Sequence, residues 1–212
     1  MPERVTVYFD YICPYSWRAA EVLELVAEPL GLTVTWEHFS LYQHSYELNG
    51  ADRGGNGRWQ LWNEPIDELD GNGCKGLLPF LASQAARRQG PEAHHGFRLA
   101  LQRAVHRDYR SLDMATILAV ADEVGLHKPR FEDDLANPEC RTVLAQEHTR
   151  AAALDLFGTP TVVFPGGEAA YFRLQELPRS REEAVSLFQE TRGLLERYPY
   201  LQTVRRPRGK GN

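Results

Sequence analysis

Val5-Thr-Val-Tyr-Phe9 is a run of β-branched and aromatic residues that stops at Asp10 and, after Tyr11-Ile12-Cys13, gives way to a helical pattern opened by Pro14. This junction constrains the fold more than any other part of the chain. The run favours a strand. Proline is best tolerated in the first helical turn, where its missing N–H has no intrahelical partner to lose. From Tyr15 to about Pro29 the apolar residues Ala19, Val22, Leu23, Val26 and Leu30 recur at helical steps, and Gly31 closes the segment. Leu32 to Phe39 alternates, with Val34, Trp36 and Phe39 as its apolar members, and predicts a second strand. Strand, helix and strand with short joints form a βαβ unit, so the two strands should be parallel with a right-handed crossover.

The other end of the chain predicts a second β-rich block. Thr159-Pro-Thr-Val-Val-Phe164 reads as a strand introduced by a proline, Pro165-Gly166-Gly167 as a turn, and Ala169 to Leu174 as an antiparallel partner. Ser180 followed by Glu183 resembles a capping box before a final helix carrying Ala184, Leu187, Phe188, Leu194 and Leu195. Between the two blocks, Tyr42 to Gly76 is polar and glycine-rich around Trp59 and Trp62, and a long loop is expected there. From Lys75 to Phe157 the pattern is helical, with helices expected at about 77–89, 91–107, 112–125, 129–137 and 139–157 and caps or starts at Asp113, Asn137 and Pro138. The expected organisation is an α/β domain of order β-α-β, all-helical insertion, β-β-α. Residues 1–41 and 158–200 form the domain, 42–157 hold the loop and insertion, and 201–212 are a basic tail.

The formal net charge of -5 over 212 residues gives no basic stripe, which argues against a nucleic-acid partner. The one basic cluster, Arg205, Arg206, Arg208 and Lys210, reads as a solvated tail. No apolar run approaches the roughly 18 residues of a membrane span, and Pro2-Glu3-Arg4 leads straight into the first strand with no secretory pattern. The three cysteines, Cys13, Cys74 and Cys140, are odd in number and widely spaced. Such usage points to the cytoplasm, where a cysteine tends to be reactive, ligating or buried, not a structural bridge.

Cys13 carries the chemistry. It follows a strand and begins a helix, so a thiolate there faces unpaired backbone N–H groups and the positive end of the helix dipole, both of which favour the charged nucleophile. The alternative reading is a small buried hydrophobe. At Ser16, where a dithiol centre would hold its second cysteine, a hydroxyl can donate to the Cys13 thiolate or serve only as a first-turn residue. It cannot form a disulfide, so a mixed disulfide on Cys13 must await another thiol. Cys74, after Gly71-Asn-Gly73, is within conceivable reach, or else a helix-start residue without a partner; Cys140 reads as a packed thiol. His94 and His95 are adjacent and point apart on a helix, so no metal is expected. Tyr15, Trp17, Trp59 and Trp62 read either as core or as aromatic walls beside the thiol.

Three segments together carry a family resemblance: Phe9-Asp-Tyr-Ile-Cys-Pro-Tyr-Ser-Trp17, Trp36-Glu-His-Phe-Ser-Leu41 and Gly158-Thr-Pro-Thr161. The chain resembles the DsbA family of thioredoxin-like proteins, in the branch that holds FrnE-like oxidoreductases and 2-hydroxychromene-2-carboxylate isomerases. The resemblance implies a cis bond before Pro160, a Thr159 backbone that pairs with bound substrate, and an insertion that covers one side of the site. Cys13 and Ser16 are read as catalytic, and Pro14, Tyr15, Trp17, Thr159 and Pro160 as substrate-binding. The chain departs from both branches: the oxidoreductases usually have cysteine at both ends of the motif, and the isomerases have serine at the position of Cys13. A monothiol thiol-disulfide oxidoreductase is the reading that follows. It has no tightly bound cofactor, and its partners are protein disulfides or a small thiol such as glutathione, bacillithiol or mycothiol. A glutathione-dependent isomerase or transferase and a non-catalytic peptide-binding module are the alternatives. The oligomeric state is not legible.

Overall fold

The computed structural model describes residues 2–50, 59–66 and 76–202. Cys74, the Gly71–Gly73 run, most of the glycine-rich stretch and most of the basic tail lie outside the described residues. A mixed four-stranded sheet is formed by β1 (Glu3–Phe9), β2 (Leu32–His38), β3 (Thr161–Val163) and β4 (Ala169–Tyr171), in the spatial order β2-β1-β3-β4. β1 runs parallel to β2, with Val5 opposite Val34 and Phe9 opposite His38, and antiparallel to β3, with Val7 opposite Val162. β3 and β4 form the expected hairpin, with Thr161 opposite Tyr171. Helix α1 (Pro14–Val26) crosses from β1 to β2, and α8 (Arg181–Arg197) closes the chain. The β-α-β and β-β-α halves of a thioredoxin-like fold are therefore both present.

Among the described residues, six helices stand between β2 and β3: α2 (Leu41–Gly50), α3 (Leu77–Arg87), α4 (Pro91–His106), α5 (Met114–Glu123), α6 (Lys128–Leu135) and α7 (Pro138–Ala153). The first of them corrects the sequence reading, which placed a loop from Tyr42 onward. Ser40 explains the difference. Its Oγ accepts the Gln43 N–H at 3.1 Å, an N-cap that starts α2 despite the polar composition that follows. Leu61–Asn63 adds a short 3-10 turn. Elsewhere the caps sit at the expected residues: Asp113 accepts from Thr116 N–H and Asn137 from Glu139 N–H. Ser180 accepts from Glu183 N–H, while the Glu183 carboxylate reaches back to the N–H of Arg179, one residue before the cap.

Val5, Val7 and Phe9 of β1 are fully buried in the main core, and Tyr8 on the opposite face packs with Phe39, Ala151 and Leu156. The strand is thus covered on both faces, as a central strand in an α/β sheet should be. One buried carboxylate joins three elements. Glu147 of α7 accepts the backbone N–H of His38 at 3.0 Å, the His38 Nδ1–H at 2.5 Å and Gln84 Nε2 at 3.1 Å, and pairs with Arg87 of α3. Arg87 also donates to the Trp36 carbonyl on β2 at 2.7 Å. Burial alone would push the Glu147 carboxyl up, but His38 and Arg87 hold it down at about 2.

Removing one member of such a buried pair leaves the other uncompensated, so Glu147→Gln should lower unfolding free energy by about 3 kcal/mol in urea titration at neutral pH. A depressed carboxyl stabilises the fold above its unfolded pKa and loses that contribution as pH falls. Wild type should therefore lose stability between the ordinary value of 4.5 and about 2, and Glu147→Gln should lose less across that window.

Candidate functional site

Leaving β1, the chain turns through Asp10–Cys13 into α1, and backbone hydrogen bonds set the turn. Cys13 N–H donates to the Asp10 carbonyl at 3.2 Å, and Ser16 N–H donates to the Cys13 carbonyl at 3.0 Å. Cys13 is the N-cap of α1 with extended backbone and Pro14 follows at N1, so the helix starts where the sequence placed it. From across the insertion, His106 at the end of α4 places its Nε2 at 2.7 Å from the Tyr11 carbonyl.

Cys13 is 6% exposed, and its Sγ–H donates to the Thr159 carbonyl at 3.2 Å. This contact joins the first βα turn to the loop before β3. The Thr159–Pro160 bond is cis. Three successive carbonyls of the loop have three different donors: Gly158 takes Thr161 Oγ1 at 2.8 Å, Thr159 takes Cys13 Sγ, and Pro160 takes Phe172 N–H at 3.0 Å. Thr159 and Pro160 are both buried, whereas Pro14 is exposed and Tyr15 half-buried.

Ser16 is fully buried, and its Oγ accepts the Asp10 N–H at 3.4 Å; the Cys13 sulfur donates to Thr159, not to Ser16. Trp17 is half-buried, donates its Nε1–H to Glu21 at 2.9 Å and stacks on His106. Trp59 packs against Tyr46 and Trp62 against His148, on the side of α2 and α7. Cys140 is buried, donates to the Asp134 carbonyl at 3.3 Å, and burial pushes its thiol pKa up. Among the described residues no group of three or more His, Cys, Asp or Glu could hold a metal ion.

Sequence reasoning missed three residues here. Tyr171, at the end of edge strand β4, lies over the loop so closely that a Cβ on Gly158 would stand 3.0 Å from its ring. Its phenol pKa is raised by burial and by the charges of Cys13 and Tyr15, against Arg173. Arg173 donates to the Tyr15 hydroxyl at 2.7 Å and lies 4.3 Å from that ring's centre. The signal for both was the hairpin register, which sets Tyr171 opposite Thr161. The third is Asp10, fully buried, whose Oδ1 accepts Ile12 N–H at 3.1 Å and Oδ2 accepts Leu41 N–H at 2.8 Å.

Burial pushes the Asp10 carboxyl up to about 7, against the backbone N–H groups that favour its charged form. A carboxyl raised on folding stabilises the native state below its unfolded pKa and loses that contribution as pH rises through its folded one. Stability should therefore fall between the ordinary value of 3.8 and about 7, and that component should be absent in Asp10→Asn when unfolding is followed across the range.

A model of the DSBA-like thioredoxin domain matches residues 4–65 and 79–183. No curated protein matches by sequence. Among solved structures, a thioredoxin-like oxidoreductase from Silicibacter pomeroyi DSS-3 aligns with TM-score 0.58 and 21% identity over 94% of this chain and 87% of that one. A 2-hydroxychromene-2-carboxylate isomerase aligns with TM-score 0.61 and 20% identity over 94% of this chain and 100% of its own. The cytosolic disulfide reductase DsbM from Pseudomonas aeruginosa, solved with GSH, aligns with TM-score 0.57 and 18% identity over 89% and 99%. These likenesses show the fold. With the family model covering most of its length, the chain belongs to the DSBA-like thioredoxin family.

Proposed function

We propose that the protein is a monothiol thiol-disulfide oxidoreductase acting through Cys13. The observation that carries the reading is the 3.2 Å contact between Cys13 Sγ and the Thr159 carbonyl, which places the thiol against the proline loop. Loss of the S–H proton yields the nucleophile and releases the Thr159 carbonyl as an acceptor for a backbone N–H of the partner. The thiolate attacks one sulfur of a disulfide R–S–S–R′, forming Cys13–S–S–R and expelling R′–S⁻. Ser16 offers no second thiol, so a further thiolate R″–S⁻ attacks the R sulfur of this mixed disulfide and releases R–S–S–R″ and the Cys13 thiolate. The α1 N-terminus begins at Cys13, and the Arg173 guanidinium is held by the Tyr15 hydroxyl. Pro14, Tyr15 and Trp17 line the approach, and Thr159 and Pro160 hold the partner chain.

The co-substrate in this reading is a small thiol such as glutathione, with which the DsbM structure was solved. No helix among the described residues is long and apolar enough to cross a membrane. We place the protein in the cytoplasm on its cysteine usage.

A second reading, a glutathione-dependent isomerase, draws on Ser16 and on the likeness that spans the whole of the isomerase structure. Cys13→Ser separates the two. Under the favoured reading, reduction of a small mixed disulfide by glutathione should fall by at least about a thousandfold in this variant, the scale of losing a covalent nucleophile. Turnover retained in Cys13→Ser would exclude the oxidoreductase reading, and isomerase activity above wild type would establish the second.

A further inference from the structure

Asp10 is a fully buried acid with no ion pair among the described residues; its side-chain partners are backbone N–H groups. Those donors come from two elements. Ile12 lies in the turn that delivers Cys13. Leu41 is the first residue of α2, and because Ser40 caps that helix, the Leu41 N–H is one of the donors an α-helix cannot satisfy itself. The Asp10 main chain completes the junction: its carbonyl takes Cys13 N–H and its N–H donates to Ser16. Gly76, the cap of α3, comes so close that a Cβ there would stand 3.4 Å from Oδ1, and its φ of +87° is one that glycine adopts without strain.

We propose that Asp10 is a positioning residue for the Cys13 thiol, its two carboxylate oxygens tying the reactive turn to the start of α2. The inference rests on the thiol reading above. A carboxylate is suited to this task because both oxygens are acceptors. An amide has one acceptor oxygen, so in Asp10→Asn either Ile12 or Leu41 must face an NH2 group. Burial, which pushes this carboxyl up to about 7, makes the ionised form costly to hold, and the two N–H bonds offset part of that cost.

The test is the rate of Cys13 alkylation by iodoacetamide, read by peptide mass spectrometry in full-length wild type, Asp10→Asn, Leu41→Pro, Leu41→Ala and the Asp10→Asn, Leu41→Pro double variant. Leu41→Pro removes the N–H together with the leucine side chain, at the helix position where proline is tolerated best. Leu41→Ala keeps the N–H and controls for lost packing.

At neutral pH, Asp10→Asn and Leu41→Pro should each slow alkylation by about tenfold, the scale of one charge-assisted hydrogen bond. The double variant should slow alkylation by less than the product of the two single effects, because both variants act on the bonds of one carboxylate. Leu41→Ala should match wild type. At strongly alkaline pH, where bulk base ionises the thiol, the rates should converge. A purely structural role gives a different pattern: loosening uncovers the 6% exposed thiol and speeds alkylation at both pH values as the urea midpoint falls. That pattern, unchanged rates or additive losses in the double variant would each overturn the proposal. If Asp10→Asn does not fold, Leu41→Pro against Leu41→Ala decides alone. Alkylation needs no substrate, so turnover surviving in Cys13→Ser would refute the functional reading and leave this result legible.

Discussion

β1 is hydrogen-bonded on both edges and packed on both faces, by β2 and β3 in the sheet and by the two apolar clusters above and below it. The residue that leaves it therefore starts from a fixed place and direction. Asp10 inherits that position, and each later feature of the site is indexed to it: the turn closed by Cys13 N–H, the start of α1, the seating of α2. The antiparallel pairing of β1 with β3 brings the loop before β3 alongside the same strand end, so the Thr159 carbonyl meets Cys13 across 146 residues of chain.

Two buried carboxylates hold the helical insertion to the sheet by opposite electrostatic means. Glu147 is matched by Arg87 and His38, which overcome burial and keep it ionised. Asp10 has only backbone donors, and burial wins. The first arrangement ties α3 and α7 to β2, and its sign is that of a structural clamp. In the second, an acid is held beside the reactive turn at a cost in stability, which is common where geometry serves chemistry. The two groups contribute to the pH dependence of stability with opposite sign and in different windows.

The strand-helix-strand opening was legible because Val5–Phe9, Pro14 and Gly31 each obey a local rule, and the closing hairpin because Pro165-Gly166-Gly167 marks its turn. The helix over Leu41–Gly50 was not, since its start depends on a side-chain cap at Ser40 and on the Asp10 carboxylate, and its own sequence is polar. Cys13, Thr159 and Pro160 could be named from motif placement. Tyr171 and Arg173 could not, because they come to Gly158 and Tyr15 only through the register of a three-residue edge strand. Asp10 was visible as a letter in a motif, but its function is a matter of which N–H groups surround it, and Leu41 lies 31 residues away.

The account rests on a single thiol that takes up a disulfide and cannot resolve it internally. Its most direct test is intact-protein and peptide mass spectrometry after incubation of the reduced protein with excess glutathione disulfide. One glutathione adduct, mapped to Cys13 and persisting until free thiol is added, is the predicted result. Absence of an adduct at Cys13, or an internal disulfide joining Cys13 to Cys74 or Cys140, would contradict it.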